Sequence, residues 1–343
     1  MTTKDIISAF LWLGRDIKSN IDSDDYENMM LEAEQKNPWF EKSQTKIAIL
    51  NLTHIIDTVE NEPLLKRPCE VSDNKEILIV CAGNIPAVAF HDIMCVILSG
   101  NRAMVKLSSN DDVIIPFLFN RLTTKFPFLQ TQMAIFNSAL SLSDTECKGV
   151  IATGSDSSAL VFEQYFKNIP HIIRKSRYSC AVITPKDDIS GLEDDICLYF
   201  GQGCRSISHL FVPIGYDFSV LIEKLKKYSY FANHNKYRNN LDYQKAIMMM
   251  NNIHFINADA VLLRENKELY SPIGVVNYSF YKNMVEIEKI IESENDNIQC
   301  VAFSESMFSE INLPNKVCFS DTQKPGFTDY ADGIIILEWI YSF

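Results

Sequence analysis

Glu76-Ile-Leu-Ile-Val-Cys81-Ala-Gly-Asn84-Ile-Pro86 is an apolar run that ends in a tight turn and a proline. Charge precedes it and Ala-Gly-Asn follows, so Glu76–Cys81 reads as a buried strand. Pro86 suits the first turn of a helix, here predicted to run to Leu98 and to stop at Gly100-Asn101. Outward from it, strands are predicted at Ala103–Leu107, Met133–Phe136 and Gly149–Ala152, and helices at Val113–Lys125 and Ser155–Lys167. This alternation implies an α/β fold: an open, mainly parallel sheet with helices on both faces. Beyond Pro185 the pattern resumes with a helix around Leu192–Gly201, strand Ser208–Val212 and helices Phe218–Tyr230 and Tyr243–Asn252. Strands His254–Leu263 and Ile273–Tyr278, helix Met284–Glu292 and strand Ile298–Phe303 complete it. A domain boundary is expected near Arg174–Ser179, with Thr2–Leu65 as a helical wrap on the first domain.

The chain has 343 residues, enough for two domains, and a net charge of −12. An acidic balance argues against nucleic-acid binding, which needs a basic stripe. The nine cysteines are odd in number and show no CxxC pair, so neither a disulfide framework nor a metal site is expected. Cys81, Cys95, Cys180 and Cys300 lie in apolar runs and read as core residues. No apolar run is long enough to span a bilayer, and the patch Ile6–Leu13 is bracketed by charge, unlike a signal peptide. The cytoplasm is the expected location.

Three turns carry chemistry. In Cys81-Ala-Gly-Asn84-Ile-Pro86, Asn84 sits at the carboxyl end of a parallel strand, where ligand crevices lie. Its amide either serves as an oxyanion donor or caps the next helix. In Ala152-Thr153-Gly154-Ser155-Asp-Ser-Ser158, a strand, a glycine turn and a helix start either receive a phosphate or simply pack closely. In Phe200-Gly-Gln-Gly-Cys204-Arg205-Ser-Ile-Ser208, Cys204 is either an accessible thiol with a cationic neighbour or a buried turn residue.

Together these turns resemble the aldehyde dehydrogenase superfamily. The shared features, in order, are Asn84-Ile-Pro86, Gly100–Ser108, Thr153-Gly-Ser155 and Gly201-Gln-Gly-Cys204 with Phe211-Val212. The sequence is more similar to the acyl-CoA reductase (LuxC-like) branch, through Asn37-Pro-Trp-Phe40, Val105-Lys-Leu-Ser-Ser109 and Phe327-Thr-Asp-Tyr-Ala-Asp-Gly333. The resemblance implies an aldehyde-dehydrogenase-like architecture. A Rossmann-type NADP-binding domain with its N-terminal wrap spans 1–177, and a second α/β catalytic (thiol) domain with the C-terminal tail spans 178–343. It implies Cys204 as nucleophile, with Asn84 and the Cys204 amide on the oxyanion. Lys106 and Ser108 would meet the adenosine ribose, and Thr153, Gly154 and Ser155 the pyrophosphate.

Two departures refine this. NAD-preferring members carry a Glu where this chain has Ser109, which would not repel a 2′-phosphate, so NADPH (NADP) is the expected cofactor. Hydrolytic members carry a Glu-Leu-Gly-Gly segment upstream of the cysteine, whose Glu activates water. The stretch here, Ile172-Ile-Arg-Lys-Ser-Arg177, has no carboxylate, so the thioester would be exchanged with a thiol rather than hydrolysed. Arg174, Lys175 and Arg177 read either as phosphate ligands or as a solvated charge run. The resemblance thus implies an acyl-CoA or acyl-carrier thioester reductase forming a Cys204 acyl-enzyme that NADPH reduces to an aldehyde. His209 and His234 are candidates for its proton donor. Alternatives are a thiol-dependent acyltransferase and a non-catalytic scaffold subunit of a fatty-acid reductase complex. Expected partners are a second copy, suggested by apolar Ile334–Phe343, or an acyl-activating enzyme.

Overall fold

The structure, a computed structural model, describes residues 2–66, 75–136, 147–309, 311, 313 and 315–343. Helices α1 (Thr3–Asn20), α2 (Asp24–Lys36) and α3 (Lys42–Asp57) lead into β1 (Glu76–Val80), α4 (Phe90–Leu98) and β2 (Arg102–Lys106). Then come α5 (Ile114–Lys125), β3 (Met133–Phe136), β4 (Gly149–Thr153), α6 (Asp156–Phe166) and β5 (His171–Arg174). Next follow β6 (Tyr178–Val182), α7 (Leu192–Cys197), β7 (Ile207–Pro213), α8 (Ser219–Leu225) and α9 (Asn235–Met250). The chain continues with β8 (Phe255–Ala258), β9 (Val261–Glu265), β10 (Val275–Tyr281), α10 (Met284–Ser293) and β11 (Ile298–Phe303). It ends with α11 (Glu305–Phe308), β12 (Lys316–Cys318) and α12 (Ile336–Tyr341).

Two units result: Met1–Ser176 with Lys324–Phe343, and Arg177–Gln323. In the first, a five-stranded parallel sheet runs β3-β2-β1-β4-β5. β1 is its centre because Ile77, Leu78 and Ile79 are apolar in succession and buried on both faces. Strand order reverses at β1, a topological switch point. The N-terminal helices add to its core through Ile6, Phe10, Leu13 and Ile17 on one face of α1. The second unit has a seven-stranded sheet, β12-β11-β6-β7-β10-β9-β8, parallel except for β8 on β9.

Several expectations need correction. The first helix begins at Phe90 rather than Pro86, because Ala87 has φ +55° and cannot join a right-handed helix. The expected helix Leu192–Gly201 ends at Cys197, and Tyr199, Phe200 and Gly201 then turn left-handed with φ of 56°, 57° and 70°. His254–Leu263 is two antiparallel strands, broken at Asp259 with φ +58°. Helix α9 starts earlier than expected because the His234 ring accepts the Tyr237 N–H at 3.1 Å as a cap. The tail does not belong with 178–343 as expected: Lys324–Phe343 joins the first unit. There Phe327, Tyr330, Ile336, Leu337 and Ile340 are core residues, and the Tyr330 hydroxyl donates to Glu62 at 2.5 Å. Within Ile334–Phe343, read as a hint of a second copy, Ile336, Leu337 and Ile340 enter this chain's own core, while Ile334, Ile335 and Tyr341 are exposed.

Candidate active site

In the first unit, the parallel strands deliver the predicted cofactor residues to one edge. Val80 pairs with Lys106, and Ala152 with Val80, so Cys81–Asn84, Lys106–Ser109 and Thr153–Ser155 all lie at or just beyond the carboxyl ends of adjacent strands. The first two turns touch. A Cβ at Gly83 would lie 2.5 Å from the Ser108 hydroxyl and 2.9 Å from Cβ of Asn110, so only glycine closes this approach. Asn84 is exposed, and α4 is capped at Ala89 without a side-chain bond, so Asn84 does not cap that helix.

The turn after β4 is built for a helix start. Ser155 caps α6 by accepting the Ser158 N–H at 3.3 Å, and the Gly154 N–H is taken by the Arg174 carbonyl at 3.2 Å. The amides of Asp156 and Ser157 open the helix, where no intrahelical acceptor exists. The Asp156 carboxylate accepts the Ser176 N–H at 3.1 Å.

Arg174, read from sequence as a phosphate ligand or part of a solvated charge run, is neither. Its guanidinium is buried and paired with buried Asp92 at 2.5 Å. Burial opposes the charge of Arg174 most strongly, but the charge and hydrogen bond of Asp92, with Asp332 adding to them, together hold the guanidinium above its ordinary pKa. Lys175 pairs with Glu163 at 2.9 Å, and Arg177 donates to the Ile298 carbonyl at 3.3 Å.

In the second unit, Cys204 stands in the turn between the left-handed Tyr199–Gly201 segment and β7, half-buried. Its carbonyl accepts the hydroxyl of buried Ser179 at 2.8 Å. The Phe200 ring anchors the strained segment, packing on Phe231, His234 and Tyr237 with centroids 4.4, 4.5 and 5.4 Å away. The other cysteines offer a contrast. Burial drives up the thiols of Cys95, Cys180 and Cys197, and Cys81 is raised by burial with Asp92 and Asp111 adding to it. Cys300 is pushed up to about 11 by burial, with Arg205 and the Ser179 hydrogen bond opposing. No disulfide joins any of the eight described cysteines.

Neither histidine is placed as a mobile proton donor. His209 is buried, bonded to the Glu268 carbonyl at 3.0 Å and the Ser279 hydroxyl at 2.9 Å, and burial depresses it to about 4. His234 caps α9. Sequence reasoning missed Ser179, Phe200 and Asp111, which support the turns. Asp111 stands out only as an acid between serine, asparagine and an apolar helix. Among the described residues, no His, Cys, Asp and Glu cluster has metal-holding geometry, and no helix is long and apolar enough to cross a membrane.

The fold is that of the aldehyde dehydrogenases. An NADP-dependent enzyme from E. coli superposes with a TM-score of 0.66 at 12% identity, over 98% of this chain and 79% of that one. Betaine aldehyde dehydrogenase from Staphylococcus aureus, solved with NAD+, gives 0.66 at 10% identity over 93% and 75%. Succinic semialdehyde dehydrogenase from Streptococcus pyogenes, solved with NADP+, gives 0.63 at 14% identity over 93% and 82%. No curated protein is significantly similar in sequence. Residues 74–306 match the family model for acyl-CoA reductase (LuxC), and the chain belongs to that family. It is thus an enzyme of aldehyde-forming or aldehyde-processing type.

Proposed function

We propose that this protein is an NADPH-dependent acyl-thioester reductase in which Cys204 carries the acyl group. The observation that carries the reading is the strained, half-exposed Cys204 turn, set against cysteines whose thiols burial suppresses. Cys204 thiolate attacks the carbonyl carbon of an acyl-CoA or acyl-carrier thioester. The Asn84 amide and the Cys204 N–H stabilise the oxyanion, which collapses and expels the donor thiolate. When bound, NADPH supplies the hydride that reduces the acyl group. The resulting Cys204 thiohemiacetal breaks its C–S bond to give the aldehyde and restore the thiol.

The first unit suits a nicotinamide dinucleotide. Its switch-point turns and the open amides of Asp156 and Ser157 favour a pyrophosphate there. NADPH is preferred over NADH because no carboxylate of the Lys106–Asp112 loop is left to face a 2′-phosphate. Position 109 is Ser, Asp111 accepts the Ala87 N–H and Asp112 pairs with Lys36. Nor does Ile172–Arg177 supply a water-activating carboxylate, which favours thiol exchange over hydrolysis.

The test is to mix the full chain with an acyl-CoA and NADPH. Loss of nicotinamide absorbance with aldehyde formation is expected. CoA release without that loss would instead indicate acyl transfer. No turnover, with Cys204→Ala indistinguishable from wild type, would indicate a non-catalytic role.

A further inference from the structure

We propose that Asp111 is a positioning residue that holds the Gly83–Ala87 turn in the shape that presents Asn84. The inference rests on the reading of Asn84 as an oxyanion donor, and extends it to the group that fixes that donor.

Ala87 is the strained point of the turn, with φ +55°, a conformation an alanine adopts only under constraint. The constraint is visible. Buried Asp111 accepts the Ala87 N–H through Oδ2 at 2.7 Å. A carboxylate at 5% exposure is costly to keep there, and the amides of Ala87 and Ile114 favour its charge. One acid therefore ties the Asn84 turn to the loop that precedes α5.

Asp111 is itself firmly held. Its loop is closed by the Asp111 N–H on the Ser108 carbonyl at 3.1 Å and the Asn110 N–H on the Ser108 hydroxyl at 3.2 Å. The same Ser108 hydroxyl occupies the space a Cβ at Gly83 would need, so the two turns approach closely at both ends of the Asn84 segment. The Asn37-Pro-Trp-Phe40 segment completes the brace: the Asn37 amide donates to the Asn110 carbonyl at 3.2 Å, and Lys36 pairs with Asp112 at 3.0 Å. This gives a structural use to a sequence motif that the chemistry of Cys204 leaves unexplained.

Hydrogen exchange on the full chain tests this, comparing wild type with Asp111→Ala and Asp111→Asn. In Asp111→Ala, exchange across residues 82–89 should quicken about 10-fold or more, while β1 and β4 remain unchanged. Asp111→Asn keeps an acceptor and should stay within about 2-fold of wild type. Unchanged exchange in Asp111→Ala overturns the proposal; if that variant does not fold, Asp111→Ser is read in the same way. Kinetics supply the second readout. Asp111→Ala should lower kcat with little change in KM for NADPH, and should add no loss on an Asn84→Ala background. Additive losses would overturn the proposal. If Asn84→Ala is silent while exchange still quickens, positioning stands and the oxyanion role of Asn84 falls.

Discussion

At the scale of single residues, the proposed mechanism needs Cys204 and Asn84 at the reacting atoms and Asp111 to hold one of them in place. Asn84→Ala should lower kcat about 100- to 1,000-fold with little change in KM, because an oxyanion donor acts in the transition state. Steady-state kinetics check this, and an unchanged kcat contradicts it. Asp111 also makes a pH prediction. Burial lifts its carboxyl from 3.8 to about 6 in the folded chain, so the folded state holds the proton more tightly than the unfolded one. The stability this confers is present below pH 3.8 and is lost as pH rises to about 6. Asp111→Asn should remove that decline, seen as urea midpoints that fall less from pH 4 to 6 than in wild type. Parallel declines in the two proteins would contradict it. These residues also show why some roles are hidden in sequence. Arg174 looks like one member of a basic run, and only its meeting with Asp92, far away in the chain, reveals a buried ion pair. Asp111 looks like any loop acid until Ala87 is seen above it.

At the scale of elements, legibility followed locality. β1 was readable because every residue of Ile77–Val80 is apolar, and a strand with both faces covered needs nothing else. The end of β4 was readable from its glycine, and the cap was narrowed to Ser155 or Asp156, of which the structure selects Ser155. The left-handed turn before Cys204 was not. Two bulky aromatics, Tyr199 and Phe200, give no local sign of positive φ, and their conformation is imposed by Phe231, His234 and Tyr237 from other elements. The glycine before Cys204 flagged the place without revealing its shape. The contact between the turns after β1 and β2 gives a direct prediction. Gly83→Ala should destabilise the first unit by about 1–3 kcal/mol, because the new methyl meets Ser108 and Asn110. A thermal melt checks this, and an unshifted melt would mean that the two turns are looser than described.

At the scale of the whole molecule, the chain leaves its first unit at Ser176 and returns to it at Lys324. Sequence alone assigned the tail to the nearer domain, because its apolar residues look the same whichever core they enter. Deleting 324–343 removes five buried apolar side chains from the first unit, each worth about 1.5–3 kcal/mol. That sum rivals the whole stability of a domain, so the truncated chain should fail to fold its first unit, as calorimetry or proteolysis would show. A truncated chain that melts like wild type would contradict the assignment. Whether Cys204 carries an acyl group that is then reduced can be read from the mass of the protein. The full chain incubated with an acyl-CoA alone should gain one acyl mass, located on the peptide containing Cys204. Adding NADPH should remove it as aldehyde, and Cys204→Ala should never acquire it. An adduct on another cysteine, or one that NADPH does not discharge, would contradict the account.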